Sequence, residues 1–126
     1  MKAGNQTVGA RLRVVLEPGV AIGPGKADLL EGVAQSGSIA AAGRRLGMSY
    51  KRAWSLIEAM NGDFGAPMVT ATRGGSAGGG AELTELGTKV LALYRKMETR
   101  AAQAVDNDMQ ALRRLLRDSR KQESRK

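Results

Sequence analysis

Two short segments of helical periodicity meet at Leu46-Gly47-Met48, within Ser38 to Asn61, and this junction constrains the fold more than any other stretch. Ser38 stands where it can cap the first segment, whose apolar members are Ile39, Ala42 and Leu46. Gly47 provides the turn, and Ser49 is placed to cap the second segment. There Ala53, Ile57 and Met60 recur at spacings of four and three, which gives one buried helical face. Gly43 is small where two helices would cross closely, and Asn61-Gly62 is expected to end the second helix. The unit reads as a helix-turn-helix.

The flanking residues build outward from this pair. Arg11 to Leu16 alternates, placing Leu12, Val14 and Leu16 on one face of a half-buried strand that Pro18-Gly19 ends, with Val20 to Ile22 as a short continuation. Pro24-Gly25 opens a helix over Lys26 to Gln35, with Leu29, Leu30, Val33 and Ala34 on its inner stripe and Gly37 at its end. After the helix-turn-helix, Pro67 to Arg73 alternates and is β-prone, a glycine-rich tip spans residues 74–80, and Ala81 to Leu83 returns. A hairpin directly after three helices is the wing of a winged helix.

From Thr88 to Lys126 the chain has neither Gly nor Pro, and Leu86, Val90, Leu93, Met97, Ala101, Ala104, Val105, Met109, Leu112 and Leu116 continue an apolar stripe. Helical from Glu85 to Asp118, it would be roughly 50 Å long at ~1.5 Å per residue. One small domain cannot cover such a stripe, so a second copy of the chain is expected to do so through Leu86, Val90, Leu93, Met97, Ala101, Val105 and Leu112. A phase break near Asp106-Asn107-Asp108 is a place where the helix could divide in two. The organisation expected is a flexible N-terminus over 1–10, a winged helix-turn-helix over 11–84, a dimerisation helix over 85–118 and a disordered basic tail over 119–126. The fold class is mainly α with a small β-hairpin wing (α+β).

Charge supports a polyanionic partner, with a correction for where it lies. Twenty basic and twelve acidic residues give a net +8. Seven basic and two acidic residues fall between Arg113 and Lys126, so five of those eight charges belong to the tail. The tail itself reads as a solubility feature. Local placement is the better guide, and between Ser38 and Ile57 there are four basic residues and no acidic one. With neither Cys nor His, the chain has no thiolate and lacks the usual metal ligands and general base, which argues against an enzyme, a metal site or a cofactor. No apolar run reaches the ~18–20 residues that span a bilayer, and the N-terminus lacks the apolar stretch of a signal peptide. The absence of Cys fits a cytoplasmic protein, associated with the nucleoid if its partner is DNA.

Reading a major groove needs donors for guanine edges or phosphates at the start of a helix. Tyr50, Lys51 and Arg52 occupy the first turn of the second helix of the pair, and Lys51 and Arg52, with Ser55 one turn on, are the expected base-edge or phosphate contacts. Ser49 reads first as a plain cap and second as a phosphate donor at the positive end of the helix. Arg44 and Arg45, late in the preceding helix, fit phosphate contact and simple solvation equally. The glycine-rich tip lacks the Gly-Lys-Ser/Thr ending of a nucleotide loop. It reads better as a wing tip near the DNA backbone, with Arg73 as its charged donor beside Gly74 and Gly75. Trp54, the only Trp, is expected to pack between its helix and the wing or the first helix.

Several of these residues also carry a resemblance. Ser36-Gly37-Ser38-Ile39, Gly47 to Trp54, Glu58 to Asn61, then Thr72 to Gly75, Gly78 to Thr84, Gly87 and Leu93-Tyr94 resemble the N-terminal DNA-binding domain of ModE-type molybdate-dependent regulators. The head of LysR-type regulators is similar in fold. The resemblance covers roughly residues 10–100. It implies a homodimeric winged-helix regulator on a palindromic operator, linked to molybdenum or another oxyanion. In that family the oxyanion is sensed by C-terminal β-barrel domains, and no strand-rich segment follows the matched region, so this chain is expected to carry the DNA-binding part without them. The small-molecule effector stays open. The alternatives are a non-specific nucleoid-type DNA-binding protein and a small molybdate- or tungstate-binding protein.

Overall fold

The computed structural model describes residues 7–72 and 80–124. Strands β1 (Val14–Glu17) and β2 (Val20–Ile22) form an antiparallel hairpin in which Val14 faces Ile22. Its turn is made by Pro18 and by Gly19, at φ 84°. The strand starts at Val14 rather than Arg11, and its register slips between Val15 and Glu17, which leaves Leu16 exposed rather than half-buried.

Helix α1 (Pro24–Ser36) starts on a proline at its first turn, where no amide proton is needed. It ends where Gly37, at φ 71°, returns its amide to Val33 O at 2.8 Å. Leu29, Leu30 and Val33 are fully buried, whereas Ala34, expected on the inner stripe, is exposed. Helix α2 (Ile39–Arg45) is capped by Ser38, whose Oγ accepts from Ala41 N at 3.1 Å. Helix α3 (Tyr50–Phe64) runs past Gly62, which a helix tolerates, and stops at Gly65 in the left-handed conformation. The expected end at Asn61-Gly62 is therefore three residues or so too early. Instead Asn61 Oδ1 accepts from Met68 N at 2.8 Å, tying α3 to the strand that follows.

The three helices cross at close range because small residues meet there. A Cβ placed on Gly32 would come within 2.9 Å of Ala42 Cβ, and one on Gly43 within 3.2 Å of Ala53 Cβ. The wing strands β3 (Val69–Thr72) and β4 (Gly80–Leu83) pair antiparallel, Val69 facing Leu83 and Thr72 facing Gly80. The wing is stitched to the helices by Ala81 N donating to Gly37 O at 2.8 Å. Arg73, Gly74 and Gly75, expected at the wing tip, lie outside the described residues.

Helix α4 (Glu85–Ser124) begins under Thr84, whose Oγ1 accepts from Gly87 N and donates to Pro67 O. It is one helix of 40 residues, undivided at Asp106-Asn107-Asp108, and it reaches Ser124 rather than Asp118. The basic stretch from Ser119 is thus helical as far as Ser124. Arg, Lys, Gln and Glu are good helix formers, and no Gly or Pro interrupts them.

Only the first turns of α4 belong to the domain core. Val90 is 8% and Tyr94 1% exposed, so Val90 packs within its own chain and is withdrawn from the expected dimer stripe. Tyr94 Oη donates to Leu12 O. Beside it Arg95 is held by Asp28 at 2.8 Å, Glu98 at 3.0 Å and Glu31 at 3.3 Å, while Arg11 approaches Asp28 at 3.8 Å. Burial alone would lower the Arg95 pKa, but its hydrogen bonds to Asp28 and Glu98 and the nearby Glu31 more than reverse this, so the guanidinium stays charged. Past Glu98 no described residue of α4 is buried.

Candidate nucleic-acid interface

The start of α3 is held in place from both ends of the turn before it. Gly47, at φ 70°, turns the chain, and Met48 N donates to Gly43 O at 2.9 Å. Ser49 then caps α3 by accepting from Arg52 N at 3.1 Å, so its structural role is occupied while its hydroxyl proton is left for another acceptor. Ala53, Ile57 and Met60 anchor one face in the core. At about 100° per residue, Lys51, Ser55 and Glu58 then point away from the domain, with Arg52 on one flank and Trp54 on the other. All five are exposed.

Lys51, Arg52 and Ser55 thus share the outward side of one rigid helix with the Ser49 cap at its start. No ion pair among the described residues engages Lys51 or Arg52. Tyr50, 58% exposed, borders a shallow recess with Ile39, Ala40 and Gly80, so the start of α3 and the base of the wing share an edge. Trp54, expected to pack between α3 and the wing or α1, is 43% exposed and lies on the flank that Tyr50 shares. Its place one turn after Tyr50 was the signal available in the sequence.

The two arginines of α2 part company. Arg44 is exposed with no ion pair among the described residues. Arg45 Nη1 donates to Gln35 Oε1 at 3.1 Å and lines a depression with Asp28 and Glu31, which turns it toward α1 and away from Lys51 and Arg52. Among the described residues no group of three or more His, Cys, Asp or Glu side chains could hold a metal ion, and no helix is long and apolar enough to cross a membrane.

Known proteins share this arrangement. Residues 26–88 match the family model described as bacterial regulatory helix-turn-helix protein, lysR family. The molybdenum-pterin-binding protein MopB of Rhodobacter capsulatus is 45% identical over 95 residues, 75% of this chain and 35% of that protein. The molybdenum transport protein ModE of Azotobacter vinelandii is 34% identical over 118 residues, 85% of this chain and 44% of its own length. The DNA-binding transcriptional dual regulator ModE of Escherichia coli K12 is 41% identical over 71 residues, 56% of this chain and 27% of its own length. The chain spans less than half the length of these relatives.

In the solved complex of the CbnR DNA-binding domain with DNA, the protein chain superposes with a TM-score of 0.56 at 26% identity, over 68% of this chain and 93% of that one. The ModE resemblance read from the motifs is therefore matched by the relatives, and the winged-helix fold by the structural neighbour. The family is named for regulation, and the ModE proteins of Haemophilus influenzae and Escherichia coli are named as transcriptional regulators. By sequence and by fold, the chain belongs to the bacterial regulatory helix-turn-helix proteins of the lysR family.

Proposed function

We propose that this helix-turn-helix regulator reads a specific double-stranded operator with α3 in the major groove and the wing beside it, acting as a homodimer. The carrying observation is the outward face of α3, where Lys51, Arg52 and Ser55 stand exposed opposite the buried Ala53–Ile57–Met60 face. Lys51 and Arg52 supply donors for guanine edges or phosphates, and Ser49 and Ser55 supply hydroxyls. Arg44, and Arg73 with Gly74 and Gly75, are assigned phosphate contacts at the margins. Residues 11–84 form the reading unit.

The dimer is supported by what α4 leaves uncovered. Leu93 is 61%, Met97 38% and Leu112 65% exposed, in line with the half-buried Ala101 and Val105 along one stripe. Water contact along such a stripe is unfavourable by about 25 cal/mol per Å², and a second α4 would remove it. A two-fold dimer sets two recognition helices about 34–36 Å apart, which calls for an inverted repeat. Relatives named for molybdenum support a regulatory link to molybdenum or a related oxyanion.

Selection of duplexes from a random pool by the purified chain, with and without molybdate, tests the proposal. Enrichment of an inverted repeat with half-sites one helical turn apart is expected. Retention of duplexes without any shared motif would point to a non-specific nucleoid-type protein instead.

A further inference from the structure

The wing borders α3 on the Tyr50 and Trp54 flank, but the opposite flank is also built. There an open groove of about 540 Å³ runs between the first hairpin and α3, with Arg13, Lys26 and Arg52 on its walls beside Gly23 and Ser49. Among the described residues no carboxylate lines it. We propose that this groove seats a backbone phosphate of double-stranded DNA, on the strand across the major groove from the wing, with Arg13 and Lys26 as its donors outside the helix-turn-helix. The inference rests on the DNA-binding reading above and extends the contact surface to the N-terminal hairpin.

Three cations come from three separate elements: the approach to β1, the first turn of α1 and the first turn of α3. The acidic side chains of α1 lie elsewhere. Asp28 and Glu31 are engaged by Arg11 and Arg95, toward α4. Arg13, Lys26 and Arg52 have no ion pair among the described residues, so the groove they line carries uncompensated positive charge that favours an anion.

Two of the donors are already positioned. Lys26 Nζ donates to Ala21 O at 3.0 Å, which uses one of its three protons and leaves two. The stem of Arg13 lies against Gly23, where a Cβ would sit 3.8 Å from its Cγ. The hydrogen bond of Lys26 reduces the side-chain entropy lost when a phosphate arrives. A free tetrahedral oxyanion would be recognised by the same donors. The open groove, the exposure of Arg13 and Arg52, and its continuity with the Ser49 end of α3 favour a phosphate that belongs to the duplex α3 reads.

The test uses the full chain and its Arg13→Ala, Arg13→Lys and Lys26→Ala variants, titrated with a mixed-sequence duplex and a selected duplex across a salt series. Arg13→Ala should weaken binding several-fold by the same factor on both duplexes and flatten the plot of log affinity against log salt by about 0.9 for one lost phosphate contact. Arg13→Lys should restore most of the affinity. If Lys26→Ala loosens the hairpin, as far-ultraviolet circular dichroism would reveal, the exposed Arg13 decides alone. Unchanged affinity and slope in Arg13→Ala, while Lys51→Ala and Arg52→Ala still weaken binding, overturns the phosphate seat and leaves the DNA-binding reading standing. Failure of the unaltered chain to bind either duplex overturns both. Calorimetry with inorganic phosphate and with molybdate closes the last route: stoichiometric binding that Arg13→Ala abolishes would reassign the groove to a free oxyanion.

Discussion

Arg95 Nη2 lies 2.8 Å from Asp28 Oδ1, and through this pair the start of α4 is fastened to a carboxylate of α1 that is 7% exposed. Glu31 and, within α4 itself, Glu98 complete the guanidinium's partners, so α4 is tied to the domain through the two carboxylates of α1. Removing Asp28 leaves a partly buried cation short of its closest partner. Asp28→Ala should lower unfolding free energy by about 1–3 kcal/mol, the usual cost of a lost buried charge-assisted hydrogen bond. A urea titration should show an earlier midpoint at unchanged slope. A midpoint equal to that of the unaltered chain would mean that the cluster orients α4 without stabilising it.

Two of the helical glycines, Gly87 and Gly62, should respond in opposite directions to the same substitution. A Cβ on Gly87 would collide with the backbone carbonyl of Met68, so Gly87→Ala must push α4 off the segment that leads into β3 and should cost about 1–3 kcal/mol, typical of overpacking. Nothing lies within 4 Å of a Cβ on Gly62, in the last turn of α3. Gly62→Ala should stabilise by up to about 1 kcal/mol through helix propensity. Thermal melts of the two variants decide both signs.

Alkaline pH should loosen the attachment of α4. Burial, and secondarily Glu98, raise the Tyr94 pKa above its ordinary 10.0, against the opposing pull of Arg11 and Arg95. The fold therefore holds the neutral phenol more firmly than the unfolded chain does. This stabilisation is complete below pH 10.0 and is lost as pH rises through the higher value of the folded state. Melting temperature followed across that window should fall more steeply for the unaltered chain than for Tyr94→Phe, which has no proton to lose. Parallel curves would assign alkaline unfolding to other groups.

Substitutions along α4 should separate folding from self-association. Met97→Asp and Leu112→Asp place charge on exposed positions and should yield folded monomers by sedimentation. Val90→Asp places charge in the core and should unfold the domain. A dimer that survives both exposed substitutions would rule out association through this stripe.

Much of this architecture is legible in the sequence because local chemistry and tertiary packing agree. Ser38 and Ser49 cap where their position indicates, and Gly37 and Gly47 turn where apolar periodicity breaks. Ala53, Ile57 and Met60 are buried as their spacing implies. Disagreement arises where a side chain's environment is supplied by distant residues. Val90 fits a stripe of uniform period, yet its burial depends on where the domain ends beneath α4, which periodicity does not encode. Trp54 is large and apolar, but its angular place on α3 outweighs its hydropathy. Arg13 reads as an ordinary outward residue of an alternating strand until Lys26 and Arg52 are brought around the same groove. Asp28 gives no sign of burial, because its partner Arg95 is 67 positions away.

The absence of any glycine or proline after Gly87 has a mechanical consequence. About 45 Å of helix, at ~1.5 Å per residue, extends from a root clamped by Tyr94 and Arg95 to Ser124, with no glycine or proline between root and tip. Such a shaft converts a small sideways displacement at its far end into a tilt at its base. The Arg95–Asp28 pair joins this shaft to α1, and the tight Gly32–Ala42 crossing joins α1 to α2 and the turn before α3. Whatever grips the distal end of α4 thus holds the domain that carries Lys51 and Arg52 by a long, unhinged lever.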